Sequence, residues 1–308
     1  MTTDDKIYVA GHGGLVGSAI TRALQGAGFN NLVLRTHGEL DLLDQKAVAD
    51  FFAKEKPEYV FLAAAKVGGI VANDTKPAEF IYENLILQSN VIHQAYKNNV
   101  KKLLFLGSSC VYPAKAPQPL KEEYLLTGPL EPTNEAYAVA KIAGLEMCKF
   151  YKREYGANFI SVMPTNTYGP NDNFDPITSH ALPGMLGKFH KAKKENASEV
   201  VLWGTGTPRR EFIYVDDLAE ACVLLMNNYD AEEMVNIGVG TDQTIAQLAR
   251  LVKETVGFNG AIKWDITKPD GMEQKLLDVS KLKALGFTAK ADLQTGIKKT
   301  YEWYLTNA

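Results

Sequence analysis

The sequence predicts an α/β fold: a doubly wound parallel sheet joined to a second, smaller α/β domain. Three observations lead there. Short apolar runs without alternation recur along the first half of the chain, amphipathic stretches of helical length separate them, and turn residues punctuate the junctions. Strands that are apolar throughout are covered on both faces, which means a parallel sheet with helices above and below it.

Ile7-Tyr8-Val9-Ala10 is the first strand, ended by glycine. Leu15, Ile20, Leu24 and Ala27 follow at helical spacing, and Gly28 stops that helix. Leu32-Val33-Leu34 forms the second strand, and Val48, Phe51 and Phe52 share one face of a second helix. Tyr59-Val60-Phe61-Leu62-Ala63 is the third strand, residues 77–96 the next long helix and Leu103-Leu104-Phe105-Leu106 the fourth strand. A helix over 136–155 leads to the fifth strand, Phe159-Ile160-Ser161-Val162-Met163. Beyond Pro164 the rhythm breaks. Residues 165–183 read as loop, a basic helix spans 185–194, and the chain closes on a helix over 293–304. The domain boundary is predicted between 166 and 167, giving domains over 1–166 and 167–308, with a strand and helix near 211–229 returning to the first.

The chain has 308 residues, enough for about two domains. Hydrophobic residues make up 46% and charged residues 22%, which excludes a disordered chain. The net charge of -3, with no dense basic run, gives no electrostatic reason to expect a nucleic-acid partner. Cys110, Cys148 and Cys222 make an odd count without CxxC spacing, so neither a disulfide framework nor a metal site is indicated, and a reducing cytoplasmic setting is expected. No apolar run reaches the roughly 18 residues that span a bilayer, and the polar start MTTDDK is unlike a signal peptide. Cys148 and Cys222 read as core, His93 and His190 as helix surface, and the lysines of 188–195 as a solvated face.

Gly11-His12-Gly13-Gly14-Leu15-Val16-Gly17 lies between the first strand and first helix. Gly11 permits the tight turn, Gly14 lets backbone approach a pyrophosphate, and Gly17 lets the helix pack closely on the sheet. In this context the loop marks a dinucleotide (Rossmann) site. Strand two ends in Leu34-Arg35-Thr36-His37, without the carboxylate usual for NAD; an arginine there suits a 2′-phosphate, so NADP is favoured. Asp41, in Glu39-Leu40-Asp41-Leu42, is placed for the adenine edge or to cap the second helix.

Tyr137 and Lys141 stand one helical turn apart, where an ammonium, helped by nicotinamide charge, would lower the phenol pKa for proton exchange with a carbonyl. Gly107-Ser108-Ser109-Cys110-Val111-Tyr112, at the end of strand four, offers a second donor to the same oxygen. Cys110, at a strand's C-terminal end where such folds bind ligands, is also a catalytic candidate.

These motifs resemble the extended short-chain dehydrogenase/reductases: the glycine loop, Leu62-Ala63-Ala64-Ala65, Ser108-Ser109, YxxxK, Asn-x-Tyr-Gly-Pro at 166–170 and the Arg210-Glu211-Phe212 run through Asp217. The resemblance covers essentially the whole chain. Lys66-Val67-Gly68-Gly69-Ile70, Ser109-Cys110-Val111-Tyr112-Pro113, Pro164-Thr165-Asn166, Gly169-Pro170-Asn171-Asp172-Asn173-Phe174, Ser179-His180 and Lys268-Pro269-Asp270-Gly271 narrow it. They are similar to those of members that epimerise GDP-4-keto-6-deoxy-D-mannose at carbons 3 and 5 and then reduce carbon 4 with NADPH. The resemblance implies Tyr137 as acid, Lys141 as its modifier, Ser108 as second donor, and Cys110 and His180 for the epimerisations. The residues alone leave open which of the pair removes each proton; the resemblance favours Cys110 as base and His180 as acid. It implies cofactor contacts from Gly11, Gly14, Leu15, Val16, Gly17, Arg35, His37, Asp41, Leu42, Leu106, Lys141, Pro164, Asn166, Thr167 and His180. Substrate contacts are implied for Lys188, Trp203, Arg210 and Asp270, with Trp203 alternatively packed in the core. It also implies a homodimer formed through the helices at 77–98 and 133–155, where the apolar Phe80, Leu87, Val91, Met147 and Phe150 either line that interface or face the sheet. Three positions depart from the pattern: Gly13 stands where many members carry arginine, His37 where some do, and Lys188 where an arginine often meets the substrate phosphate.

Three alternatives bear comparison. A dehydratase of this fold would carry Asp-Glu after the catalytic hydroxyl, where Ser109-Cys110 stands. A 4-epimerase needs no Cys/His proton pair, and a redox-silent sensor would not require Tyr137 and Lys141 together.

Overall fold

The computed structural model describes residues 1–175, 178–268 and 270–307; Pro269 of the Lys268-Pro269-Asp270-Gly271 motif lies outside them. The first half runs β1 (Ile7–Ala10), α1 (Leu15–Gly26), β2 (Leu32–Val33), α2 (Gln45–Glu55), β3 (Tyr59–Leu62), α3 (Ile70–Thr75), α4 (Pro77–Lys97), β4 (Lys102–Leu106), α5 (Glu135–Tyr155) and β5 (Phe159–Pro164). It continues through β6 (Asn166–Tyr168), α6 (Ala181–Lys194), β7 (Glu199–Trp203), β8 (Arg209–Arg210), β9 (Phe212–Tyr214), α7 (Val215–Asn228) and β10 (Val235–Ile237). Then come β11 (Gln243–Thr244), α8 (Ile245–Val256), β12 (Ala261–Asp265), β13 (Gln274–Lys275), α9 (Ser280–Ala284) and α10 (Leu293–Asn307).

The six-stranded sheet has the order β10-β5-β4-β3-β1-β2 and every recorded pair in it is parallel. The strand order reverses between β1 and β3, so a crevice opens at their C-terminal ends, where doubly wound sheets bind ligands. One face is covered by α2, α4 and α5 through Val48, Phe52, Val91, Ile92 and Leu145. The other is covered by α1 and α7 through Ile20, Leu24, Leu218 and Leu225. A third core, around Tyr168, Leu186, Phe189, Leu248 and Val252, belongs to the smaller unit.

Several sequence expectations are corrected. The strand expected near 211–229 is β9, but it pairs with β6; the strand that returns to the large sheet is β10. The expected loop over 165–183 contains β6, whose three residues are too few to give a pattern. Helix α6 starts at Ala181 rather than 185, since Pro183 sits in its first turn, where backbone N–H groups lack intrahelical partners anyway. Asp44, not Asp41, caps α2, its carboxylate accepting from Ala47 N at 2.9 Å. His93 and His190 are half-buried, their Nδ1 atoms 2.8 and 3.0 Å from the hydroxyls of Tyr151 and Tyr301. Cys148 and Cys222 lie in the core as expected.

Candidate active site

The glycine loop works through backbone proximity. Gly11 has φ +84, and a Cβ there would come within 2.7 Å of Ala64 N, on the loop after β3. A Cβ on Gly17 would collide with the Gly11 carbonyl, so α1 meets the turn only with glycine at both places. The result is a groove lined by Gly11, His12, Gly13, Gly14, Arg35, Thr36 and His37, aimed at the N-terminus of α1, which begins with Leu15 and Val16. His12 Nδ1 is buried there without a partner. Backbone N–H groups, a helix N-terminus and the flanking Arg35 guanidinium are the donor set that a dinucleotide phosphate needs, so these residues fit the cofactor.

Arg35 is already engaged. Its NH2 donates to Glu55 Oε1 at 2.7 Å and its NH1 to the Leu34 carbonyl at 2.8 Å, so the guanidinium is held and partly neutralised. His37 is exposed and sits 3.9 Å from Asp41, whose carboxylate accepts from Leu43 N at 2.9 Å. The Leu42 carbonyl accepts from Asn90 at 2.9 Å. Across the crevice, Asn166 donates to the Glu211 carbonyl at 2.7 Å, Thr167 donates to the Thr165 carbonyl at 3.1 Å, and Pro164 ends β5 opposite Ile237.

At the end of β4 the backbone turns through one 3-10 turn, Ser109–Val111, with Ser108 at its head accepting from Cys110 N at 3.3 Å. That turn buries Ser109 and leaves Ser108 and Cys110 facing the first turns of α5. The Ser108 hydroxyl lies near enough to the Tyr137 phenol to favour its ionised form, and Ser109 is buried, which favours Ser108 over Ser109 as the second donor. Lys141 is 2% exposed; its Nζ donates to the Leu106 carbonyl at 2.8 Å and lies 5.9 Å from the centre of the Tyr137 ring. Burial alone pulls the Lys141 pKa down to about 7. Sequence spacing places Lys141 to lower the Tyr137 pKa together with the nicotinamide charge; in the chain alone no such lowering acts on the phenol. Burial, with a smaller push from Cys110, drives the phenol well above its ordinary value, and only Ser108 opposes it.

Two residues at this site were missed by sequence reasoning. Asn134 precedes α5 at the N-cap position, where asparagine normally accepts from the helix's own N–H groups. It makes no such bond; its Nδ2 instead donates to Cys110 Sγ at 3.5 Å. Its position three residues before Tyr137 was the available signal. Lys275, on β13, brings its Nζ to 3.8 Å from the same sulfur, and nothing in its local sequence marks it. His180 precedes α6, also without capping it. His180 is exposed; partial loss of water around its ring, with the charge of Lys275, holds its pKa below the usual imidazole value.

The four expected substrate residues form a neighbouring cluster. Lys188 Nζ stands 5.3 Å from the centre of the Trp203 ring, and Lys268 Nζ stands 5.7 Å from it. Trp203 is 47% exposed, which rules out the core reading. Asp270 accepts from Thr205 N and Oγ1, both at 2.7 Å, so it braces the turn after Trp203. Arg210 donates to the Asp270 carbonyl at 3.5 Å, and burial pushes its pKa down against the pull of Asp270 and Glu131.

Comparison with known proteins agrees with this geometry. The model of the NAD dependent epimerase/dehydratase family matches residues 7–238. A putative GDP-L-fucose synthase 2 of Arabidopsis thaliana is 63% identical over 98% of this chain and 92% of its own. The GDP-L-fucose synthase of Escherichia coli (strain K12) is 52% identical over 98% and 97%. Among solved structures, a GDP-6-OMe-4-keto-L-xylo-heptose reductase from C. jejuni superposes with TM-score 0.96 at 44% identity, covering 100% of this chain and 99% of that one. A GDP-L-fucose synthetase from Naegleria fowleri bound to NADP gives TM-score 0.93 at 32% identity, covering 100% and 96%. The chain belongs to the NAD dependent epimerase/dehydratase family, within the extended short-chain dehydrogenase/reductases and alongside the GDP-L-fucose synthases.

Proposed function

We propose that this site converts GDP-4-keto-6-deoxy-D-mannose to GDP-L-fucose, epimerising carbons 3 and 5 and then reducing carbon 4. The observation that carries the reading is the Cys110 thiol beside Ser108 and Tyr137, with the Lys275 ammonium 3.8 Å from the sulfur and its charge felt at His180. A 4-keto group acidifies the hydrogens on both flanking carbons. Cys110, as thiolate, takes one of them; Ser108 and Tyr137 hold the enolate oxygen by hydrogen bonds; His180 returns a proton on the opposite face. The same groups act in turn at the second carbon, once Cys110 has given its proton to water and His180 has taken one back.

When bound, NADPH supplies the hydride for carbon 4. The raised pKa keeps Tyr137 protonated, which is the form that delivers a proton to the carbon 4 oxygen. Lys141, whose proton is mobile near neutrality, recharges the phenol. The glycine loop, with Arg35 and His37 at the groove, fits the cofactor phosphates. Lys188 and Arg210 suit the substrate diphosphate and Trp203 a stacked guanine.

A second reading, reduction of a related GDP-4-keto sugar without epimerisation, is favoured by the superposition on the heptose reductase. One assay separates the two. Purified enzyme with GDP-4-keto-6-deoxy-D-mannose and NADPH is expected to consume one NADPH per sugar and yield GDP-L-fucose; a product of unaltered manno configuration at carbons 3 and 5 would refute epimerisation.

We also infer a homodimer through α4 and α5, supported by exposed Tyr82, Val139, Phe150 and Tyr155 on these helices. Phe80, Leu87 and Val91 are buried in the subunit and take no part in it. Light scattering at the mass of one chain would overturn this. A cytoplasmic setting accords with three free thiols.

A further inference from the structure

The mechanism above gives no role to the charge of Lys275, although that side chain reaches the reacting sulfur. Lys275 is 8% exposed, and a buried ammonium requires a partner. Among the described residues no carboxylate pairs with it, and the recorded hydrogen-bond partner of its Nζ is Cys110 Sγ, at 3.8 Å. Asn134 donates to the same sulfur at 3.5 Å.

The position is built rather than incidental. Strand β13 pairs in parallel with β8, with Lys275 in register with Arg210, and in-register residues of neighbouring strands project from the same face. The residues just after the strand are fixed as well. Leu276 N donates to Gln118 Oε1 at 2.9 Å, Leu120 N to the Leu276 carbonyl at 2.7 Å, and Leu277 N to Glu211 Oε2 at 3.0 Å. The strand pair that presents Arg210 to the substrate side therefore presents Lys275 to the thiol.

We propose that Lys275 is a positioning residue for the epimerisation, its ammonium serving as counter-ion to Cys110 whenever that sulfur is a thiolate, with Asn134 as a neutral second donor. The proposal builds on the assignment of Cys110 as the epimerising base. When the thiolate takes a proton from carbon, the negative charge passes to the enolate oxygen and Lys275 keeps its own proton. The charge of the same ammonium also reaches His180, lowers its pKa and so makes its imidazolium a readier proton donor.

The other titratable groups here do not duplicate the role. Tyr137, on α5, faces the sulfur but carries no positive charge. Arg210 is turned to Asp270 and Glu131. The Glu211 carboxylate is taken up by the N–H groups of Val239, Gly240 and Leu277.

The test is alkylation of the full-length enzyme by iodoacetamide. Cys148 and Cys222 are buried, so the folded protein reports Cys110. In Lys275→Met, alkylation at about pH 7 is expected to slow roughly tenfold or more, with the gap closing towards about pH 10, where an ordinary thiol ionises unaided. Lys275→Arg should recover most of the rate. Solvent-deuterium entry at carbons 3 and 5 should fall in parallel, while KM for the sugar changes less than about threefold. Should Lys275→Met fail to fold, as judged by circular dichroism, Lys275→Gln serves with the same expectations.

An alkylation rate unchanged by the substitution, or a deficit that stays constant with pH, overturns the proposal. So does a loss confined to KM, which would make Lys275 a ligand of the substrate. Failure of the underlying assignment reads out separately: Cys110→Ser epimerising at the parental rate would remove Cys110 from the chemistry whatever the alkylation result.

Discussion

Lys141 stands one helical turn beyond Tyr137 with its Nζ 5.9 Å from the centre of the phenol ring, held by the Leu106 carbonyl at 2.8 Å. The bond to β4 fixes the lysine beneath the tyrosine. The pair is thus oriented by the sheet and not only by helical spacing. Tyr137→Phe removes the proton donor while preserving the ring contact with Phe80. Reduction should fall by about 10²- to 10⁴-fold with the sugar's KM nearly unchanged, measured as steady-state NADPH oxidation. Near-parental reduction would assign the proton to another group.

Burial of Lys141 gives a pH signature. Its pKa is about 7 in the folded chain against an ordinary 10.5, so between those values the unfolded chain binds the extra proton. Stability from this residue therefore rises with pH across that window, and the penalty is full below about 7. Lys141→Met abolishes the penalty. Relative to the parent, the variant's Tm should improve as pH is lowered from about 10 to about 6, whereas a pH-independent difference would mean that the ammonium is not penalised.

Cys110→Ser and His180→Asn should each slow epimerisation by about 100-fold or more. Reduction of a substrate already epimerised at both carbons should change far less, because Tyr137, Lys141 and Ser108 remain. Equal losses in the two steps would show that the substitutions disturb the site as a whole.

Arg35 is tied to Glu55, so its contribution to cofactor choice is open to direct measurement. Arg35→Ala should lower kcat/KM for NADPH about tenfold or more with little change for NADH. A parallel fall with both cofactors would make the arginine a brace for α2.

The fold was legible because it depends on local pattern. Apolar runs such as Ile7–Ala10 carry their burial in their composition, and Gly11 and Gly17 declare a backbone approach that a Cβ would block. Tyr137, Lys141, Ser108 and Cys110 were readable because a single helix and a single turn present them. Asn134 and Lys275 were not. Asn134 looks like an ordinary helix cap, and Lys275 reaches the thiol only through a two-residue strand paired with Arg210, a relation across 65 positions that no local period records. The upward pull of burial on Tyr137 was not readable for a similar reason: spacing gives the nearness of a cation, whereas burial depends on the assembled core.

The most direct measurement is the reaction run in deuterium oxide with NADPH and GDP-4-keto-6-deoxy-D-mannose, with the product sugar read by NMR. The expected product is GDP-L-fucose carrying deuterium at carbons 3 and 5 and protium from NADPH at carbon 4. A reduced sugar without deuterium at carbons 3 and 5, and with the manno configuration retained there, would contradict the proposed chemistry of Cys110 and His180.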